Sequence, residues 1–299
     1  MKKKALLKDM LREIKKTRTR FLSITAMIMV GVFVLVGLKV TGPAMRDNAT
    51  MHAERQNMYD LTIVGPVGID DEDIRLIEGV DGIQDLYAGY SVDLNWPDEK
   101  INIKLESLSQ NISVPEVIEG RLPEEPGEIL IEAVNTFDNI KIGDTVQFAK
   151  EVDKFKEDDD PDSLKTYTYT VVGKAISTDY IMQGLKGVSY KSGTSIGTIG
   201  YITEENFNDD DYSFVKLRLE EIAGKNPESS AYINGAREKK TEIKDLLAPR
   251  SAVKFKDLKD KNLKKIRDGE ADIKDAKEQI ADAEEKFNDA EKKLADAKI

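Results

Sequence analysis

The stretch FLSITAMIMVGVFVLVGL, residues 21–38, holds eighteen residues without a charged side chain. As an α-helix with a rise of ~1.5 Å per residue it would be ~27 Å long, which is close to the ~30 Å hydrocarbon core of a bilayer. We therefore predict a transmembrane helix over residues 21–41. This helix would decide on which side of the membrane the long, polar remainder of the chain lies.

The charges on either side of this stretch predict its orientation. Residues 1–20 hold nine Lys or Arg and two acidic residues, whereas the whole chain of 299 residues has a formal net charge of -11. Basic residues next to a span stay on the cytoplasmic side. Because Leu7, Met10 and Ile14 recur at helical spacing, we predict that residues 1–20 form a cytoplasmic basic amphipathic helix on the inner surface of the cell membrane. The remainder, from about residue 42, would be extracytoplasmic.

A cleaved signal peptide is the alternative interpretation of the apolar stretch. The apolar region of a signal peptide usually holds ~7–15 residues, fewer than the eighteen found here. The residues that follow, KVTGPA at 39–44, contain no clear Ala-x-Ala cleavage site. We therefore favour an uncleaved anchor.

The composition argues against several classes of function. The acidic body lacks the basic face that nucleic acid requires, so we expect no nucleic-acid partner. The chain has no cysteine, which excludes disulfides, thiolate metal sites and cysteine nucleophiles. Together with the many Lys, Asp and Glu residues, the lack of cysteine suggests a Gram-positive cell surface.

Four features could indicate a chemical site, and each has a plainer interpretation. His52 is the single histidine of the chain. The acidic run EDDDPD at residues 157–162 lacks the glycine and the final glutamate of a calcium loop, and the acidic residues 209–211 are interpreted as a solvated loop. The sequence GTSIGTIG at residues 193–200 is not followed by the Gly-Lys-Ser/Thr of a phosphate-binding loop. We predict no catalytic, cofactor-binding or metal-binding residue, no cofactor and no enzymatic activity.

The periodicity of the remaining chain predicts an α+β fold. The expected elements are strands at residues 60–64, 83–95, 101–108 and 212–219, and helices at residues 43–59, 68–78 and 229–247. They predict a split β-α-β-β…β-α extracytoplasmic module built from residues 42–110 and 204–250. Residues 111–203 would form a β-rich inserted subdomain, because their short apolar runs alternate with loops rich in glycine, proline and acidic residues.

A seven-residue repeat predicts a coiled-coil helix over residues 252–299. The large residues at the first repeat position are Ile266, Ile273, Ile280, Phe287 and Leu294. The small residues three positions later are Gly269, Ala276, Ala283, Ala290 and Ala297. Small residues allow a second helix to approach closely, which favours an antiparallel helical hairpin. We expect that the chain is truncated and that the returning helix lies beyond residue 299.

Two pairs of short motifs add a resemblance. VIEGRLP at residues 117–123 is followed by GEILI at 127–131, and KIGDTV at 141–146 is followed by YTVVG at 169–173. In this order they resemble the extracytoplasmic core domain of FtsX-like (MacB-like) ABC transporter permeases, and the likeness covers about residues 8–250. We interpret Gly120, Gly143 and Gly173 as turn glycines, and Asp144 as a side chain that bonds backbone N–H groups in a turn.

The resemblance implies a permease component that couples ATP hydrolysis by a separate cytoplasmic ABC ATPase subunit to movement of the extracytoplasmic domain. The purpose would be export or cell-envelope regulation. Further expected partners are the lipid bilayer, a second permease copy and an extracytoplasmic protein bound by the coiled coil. Family members carry at least four spans and this sequence shows one, so the chain would be the N-terminal part of a permease. The alternative is a single-span membrane-anchored adaptor with a coiled-coil arm.

Overall fold

The computed structural model describes residues 2–133, 139–149, 162–180, 186–189 and 193–296. The chain forms two compact units, Met1–Met58 and Tyr59–Ile299. The described part of the first unit is helical, and the second unit combines strands with helices.

The first unit contains helices α1 (Lys2–Lys16) and α2 (Arg18–Arg55). The sequence predicted a span that ends near residue 41 and a separate helix after it, but α2 is one continuous helix. Pro43 lies inside α2 and removes one N–H donor from the ladder without ending the helix. Within the described residues, α2 is the one helix long and apolar enough to cross a membrane. Its apolar side chains are exposed, as lipid-facing side chains would be.

The described residues of the second unit contain ten strands and two α-helices. In chain order they are β1 (Leu61–Ile69), α3 (Asp71–Glu78), β2 (Ile83–Gly89), β3 (Ser91–Trp96), β4 (Ile101–Ser107), β5 (Glu116–Gly120), β6 (Glu128–Glu132), β7 (Thr145–Gln147), β8 (Thr168–Ile176), β9 (Ile196–Ile202), β10 (Tyr212–Leu219) and α4 (Ser230–Asp296). They form two sheets with helices, which confirms the predicted α+β class.

The smaller sheet has the strand order β1-β10-β2, and its neighbouring strands are antiparallel. Because β10 lies between β1 and β2, the β1-α3-β2 unit is split, as the sequence predicted. Helices α3 and α4 contribute to its core, in which Ile77 and Ile243 of the helices meet Val215 and Leu217 of β10. All four side chains are buried.

The larger sheet has the strand order β3-β4-β9-β6-β8-β5, and β7 pairs with β8. β4 is parallel to β9 and β6 is parallel to β8, whereas the other neighbours are antiparallel. Its main core includes Trp96, whose ring meets that of Phe148 edge-on with centroids 5.2 Å apart. The apolar runs that the sequence assigned to the β-rich insertion supply β6 to β9.

The predicted start of the inserted part is wrong. The sequence assigned residues 83–95 to one strand of the smaller module, but the chain breaks there into β2 and β3, which lie in different sheets. Between them the backbone N–H of Tyr90 donates to Ser107 Oγ at 2.8 Å. Gly89 is required at this turn, because a Cβ would lie 2.6 Å from the Phe214 ring. β3 and β4 therefore belong to the larger sheet, and the insertion begins at β3.

The long helix α4 runs without a break for 67 residues. The sequence predicted one helix that ends near residue 247 and a coiled-coil helix that begins near residue 252, and this division is wrong. Pro249 lies inside α4 and marks the predicted boundary. The end of the helix that packs on the smaller sheet is therefore continuous with the heptad segment.

Four of the large heptad residues of α4 lie on its solvent-facing surface. Their exposure ranges from 57% to 70% for Ile266, Ile273, Ile280 and Phe287. Ala297 lies outside the described residues. The described chain shows the helix but no partner helix against these positions, so the coiled-coil pairing stays a prediction.

Candidate functional site

The two halves of the Gly-Arg…Gly-Glu-Ile motif meet in space. Arg121, directly after β5, donates from Nη1 to Glu128 Oε2 at 2.7 Å, and a second bond joins Nη2 to Oε1. The backbone N–H of Glu124 donates to the same carboxylate at 2.9 Å. The hydrogen bond from Arg121 lowers the pKa of Glu128 to about 2, so the pair stays ionised at neutral pH. The motif encodes a structural clamp between β5 and β6.

Two motif glycines let strands approach each other closely. Gly120 has a φ of 80°, and a Cβ there would lie 2.2 Å from the carbonyl oxygen of Val172. Gly173 lies inside β8, where a Cβ would be 2.5 Å from the carbonyl oxygen of Arg121. The interpretation of Gly173 as a turn glycine is wrong, since its role is to admit the end of β5 beside β8.

The turn before β7 has the role that the sequence indicated. The Oδ2 atom of Asp144 accepts a hydrogen bond from the backbone N–H of Lys141 at 2.8 Å. Gly143, between them, has a φ of 94°, a conformation that favours glycine. Like the Arg121 clamp, this motif stabilises the fold and places no group for chemistry.

The base of α4 is held to α3 by a cluster of charges, which we call the α4 clamp. Arg250 donates from Nε to Asp73 Oδ1 at 2.6 Å and from Nη2 to both Asp70 oxygens at 2.9 Å. Its Nη1 lies 2.8 Å from Glu72 Oε2. Lys254, one turn later, places Nζ 2.5 Å from Asp73 Oδ2 and 2.9 Å from Asp70 Oδ2. Two cations of α4 thus meet three carboxylates at the start of α3.

The same carboxylates cap α3. Asp70 accepts the backbone N–H groups of Glu72 and Asp73, and the Asp73 side chain accepts that of Asp70, which makes a capping box. Burial acts to raise the pKa of Asp70 and of Asp73, but hydrogen bonds and charges from Lys254 and Arg250 outweigh it and hold both values below the usual range. The clamp is therefore fully ionised at neutral pH.

Acidification is expected to release the α4 clamp. A carboxylate whose pKa is depressed by folding stabilises the protein fully above its unfolded value of ~3.9, and this contribution is lost as the pH falls toward the folded value. The stability difference between the natural chain and the Asp70→Asn/Asp73→Asn variant should therefore be largest near neutral pH and shrink below about pH 4. Urea unfolding at several pH values measures it. A difference that grows on acidification would contradict the clamp.

A second charge cluster, the sheet junction, joins the two sheets. Lys216 of β10 places Nζ 2.6 Å from Asp179 Oδ2 and 3.0 Å from Glu106 Oε2 of β4. Tyr180 donates its hydroxyl to Glu106 Oε1 at 3.2 Å. The ammonium also lies 4.6 Å from the centroid of the Phe214 ring, a cation–π distance. Since β10 belongs to the smaller sheet and β4 to the larger, these contacts hold the sheets together.

The junction is buried but charged. Burial acts to lower the pKa of Lys216, and the carboxylates of Glu106 and Asp179 outweigh it and raise the pKa above the usual range. Burial raises the pKa of Asp179, which the ammonium only partly offsets. One ammonium and two carboxylates in a dry site depend on each other, because removal of the cation leaves like charges unpaired.

The four features that could indicate a chemical site lie on different parts of the chain. His52 lies on α2, in the first unit, and residues 193–200 contain the start of β9 rather than of a helix. The acidic residues 209–211 are exposed beside β10, and residues 157–161 lie outside the described residues. Across the described ranges, no group of three or more His, Asp or Glu side chains is placed to hold a metal ion.

The two charge clusters are what sequence reasoning missed. The acidic residues at the start of α3 suit the helix dipole, but their partners on α4 lie about 180 positions away in the sequence. Lys216 lies in the alternating strand YSFVKLRL, and nothing in that pattern marks it as buried. The sequence offers one sign of the α4 clamp: two basic residues, Arg250 and Lys254, lie one helical turn apart just after Pro249.

No family model matches the chain, and no curated protein matches it. Among solved structures it is similar to the extracellular domain of the noncanonical ABC-type transporter YknZ from Gram-positive bacteria. The TM-score is 0.34 and the identity 16%, over 60% of this chain and 85% of that one. It is also similar to the periplasmic region of MacB from Actinobacillus actinomycetemcomitans, with a TM-score of 0.34 and 11% identity over 62% and 75% of the chains.

Proposed function

We propose that the chain is a permease component of an FtsX-like (MacB-like) ABC transporter. In this proposal α2 anchors it in the cell membrane with the N-terminus cytoplasmic, and the second unit is extracytoplasmic. ATP hydrolysis by a separate cytoplasmic subunit moves the extracytoplasmic unit, for export or cell-envelope regulation. The chain contributes no catalytic residue, and the ATPase supplies the energy.

The observation that carries this proposal is the continuity of α2. The helix runs from Arg18, next to the basic helix α1, through the apolar stretch and on to Arg55, a few residues before β1. A continuous helix transmits a displacement along its length, because each turn is hydrogen-bonded to the next. Movement of the cytoplasmic end of α2 would therefore displace the residues that connect α2 to β1.

The two charge clusters support the next step, in which movement reaches the part of α4 beyond Lys254. The sheet junction resists separation of the two sheets, and the α4 clamp attaches α4 to α3 through Arg250 and Lys254. Since α4 is unbroken past the clamp, rotation of the smaller sheet would swing the heptad segment as a lever. In this proposal the heptad segment pairs with a closely packed helix and engages an extracytoplasmic protein.

The heptad assignment can be tested by enlarging a small seam residue. We expect Ala276→Leu to disrupt the closely packed helix pair and lower its melting temperature, because the added side chain separates the helices. Glu278→Leu adds similar bulk at an outward position of the same repeat and should leave the melting temperature unchanged. Circular dichroism of the full chain in nanodiscs measures both. Equal effects would contradict the assignment.

The proposed function is tested by photo-cross-linking in the native host. A photoreactive residue at Lys8 or Lys15 of α1 should capture a protein with a Gly-x-x-x-x-Gly-Lys-Ser/Thr motif, and the purified complex should hydrolyse ATP. The matched position Lys225, in the second unit, should not capture it. Failure to recover an ATPase from both α1 positions would overturn the proposal.

The single-span adaptor is the second candidate, and one observation favours it. Within the described residues, α2 alone is long and apolar enough to span a membrane. An adaptor would give no ATPase at Lys8 or Lys15, and would instead cross-link an envelope protein at exposed positions of α4 such as Lys274.

A further inference from the structure

A groove of about 720 Å³ lies between β1 and α4 in the second unit. One wall is formed by residues 59–63, which are the first three residues of β1 and the two residues before it. The other is a single flank of α4, formed by Lys240, Ile243, Lys244, Leu247, Ala248 and Ser251. The volume falls within the ~300–1,000 Å³ of ligand sites in proteins.

The two walls are both elongated. From residue 59 to residue 63 an extended chain covers about 13 Å at 3.3 Å per residue. From residue 240 to residue 251, α4 rises about 17 Å. The groove is therefore long enough to hold a strand of four or five residues.

The groove follows an open sheet edge. β1 pairs with β10 on one side, and among the described strands none pairs with it on the other. Sheet edges are usually protected by proline, lysine or a bulge. In β1 such features come only after Val64, where Gly65 and Pro66 coincide with an irregular register. Residues 61–64 carry none, so the unprotected part of the edge is the part that lines the groove.

The side chains of the groove define what it would accept. Leu61, Ile63, Ile243 and Leu247 make an apolar floor. Lys240 and Lys244 are exposed on the rim, one helical turn apart, and form no ion pair with a described residue. The groove therefore offers a ligand an apolar floor, two cations and the backbone N–H and C=O groups of the β1 edge.

We propose that this groove binds an extended polypeptide strand of a partner protein, apolar on one face and acidic at its edge. The strand pairs with the open edge of β1 as a fourth strand, its apolar side chains contact Ile243 and Leu247, and its carboxylates meet Lys240 and Lys244. The smaller sheet gains a strand on the side opposite β2. The proposal goes beyond the proposed function and does not rest on it.

A strand suits the groove better than a lipid chain does. An acyl chain would fill the apolar floor but would cover the N–H and C=O groups of the β1 edge without bonding them. Buried backbone groups without a partner cost free energy comparable to a lost hydrogen bond. A strand satisfies those groups and the apolar floor together.

The test uses the full chain in nanodiscs and the fluorescent peptide Glu-Val-Glu-Val-Glu-Val-Glu as the probe. We expect saturable binding by anisotropy and slowed amide exchange in residues 61–64. Ala248→Trp, which fills the groove, should weaken binding by about tenfold or more. Ala252→Trp, on the same helix outside the groove, should change the affinity by less than about twofold.

Charge and pairing controls complete the test. Lys240→Glu/Lys244→Glu should weaken binding of the acidic peptide, whereas Lys256→Glu/Lys259→Glu, farther along α4, should not. A peptide with proline at the central position cannot complete the ladder and should not bind. Lack of saturable binding, equal binding of the proline peptide, or Ala248→Trp-sensitive binding of oleate in place of the peptide would each overturn the proposal.

Discussion

Replacement of Lys216 by methionine is expected to lower the free energy of unfolding of the second unit by about 3–5 kcal/mol, the usual cost of breaking a buried ion pair from one side. Methionine preserves most of the volume but leaves Glu106 and Asp179 as buried carboxylates without their cation. Urea unfolding followed by the fluorescence of Trp96 measures the effect. Trp96 is the only tryptophan and is 1% exposed in the core of the larger sheet.

This readout also tests the junction itself, because Lys216 belongs to the smaller sheet and Trp96 to the larger. Lys256→Met, at an exposed position of α4, is the control and should change the free energy by less than about 0.5 kcal/mol. Replacing Glu106 and Asp179 by leucine in the Lys216→Met background should restore much of the loss, since an apolar substitute for a buried ion pair is often neutral. A shift below about 1 kcal/mol for Lys216→Met would show that the sheets unfold independently of the junction.

Two aspartates in the centre of the apolar stretch of α2 are expected to abolish membrane integration. One aspartate at a span centre costs about 2.5–3.5 kcal/mol, so Val30→Asp/Phe33→Asp should cost roughly twice that. Resistance to alkaline carbonate extraction measures integration. The natural chain should stay in the membrane pellet, and the variant should be extracted or degraded.

The matched controls separate charge from a general loss of folding. Val30→Leu/Phe33→Leu keeps the apolar character and should stay in the pellet. Met51→Asp adds a charge to the same helix beyond the apolar stretch and should also stay there. If the Val30→Asp/Phe33→Asp variant resists extraction as the natural chain does, the apolar stretch is not what anchors the protein.

The local elements were readable from the sequence, because their patterns arise within a few residues. The alternation in YSFVKLRL predicted β10 with its observed bounds, Tyr212–Leu219. The acidic residues after Gly68 predicted the start of α3, which Asp70 caps. The split order of the smaller module was also predicted from the sequence, because the strand at residues 212–219 comes after the predicted insertion.

The assignment of strands to sheets was not readable, because it depends on contacts between distant residues. The chain changes sheets between β2 and β3, where the deciding features are the Phe214 ring over Gly89 and the Ser107 hydroxyl that bonds Tyr90. Neither partner is near in sequence, and alternation alone continues across Tyr90. The predicted boundary at residue 111 therefore came too late.

The charge clusters were hidden for the same reason. An alternating strand is normally exposed on its polar side, so the alternation of YSFVKLRL gives no sign that Lys216 is buried. β10 is instead buried on both sides, by the helices and by the larger sheet. In α4, a proline would usually end or kink the helix, but Ile243 holds the helix on the smaller sheet before Pro249, and Arg250 and Lys254 hold it on α3 after Pro249.

The measurement that tests the account most directly is the sidedness of single cysteines in intact cells. The chain has no cysteine, so Lys8→Cys in α1 and Lys225→Cys in the second unit can each be labelled without background, and both positions are exposed. With a membrane-impermeant maleimide, the account predicts labelling of Lys225→Cys on intact cells and of Lys8→Cys only after permeabilisation. Labelling of Lys8→Cys on intact cells, or release of a soluble protein with a new N-terminus near residue 42, would contradict it.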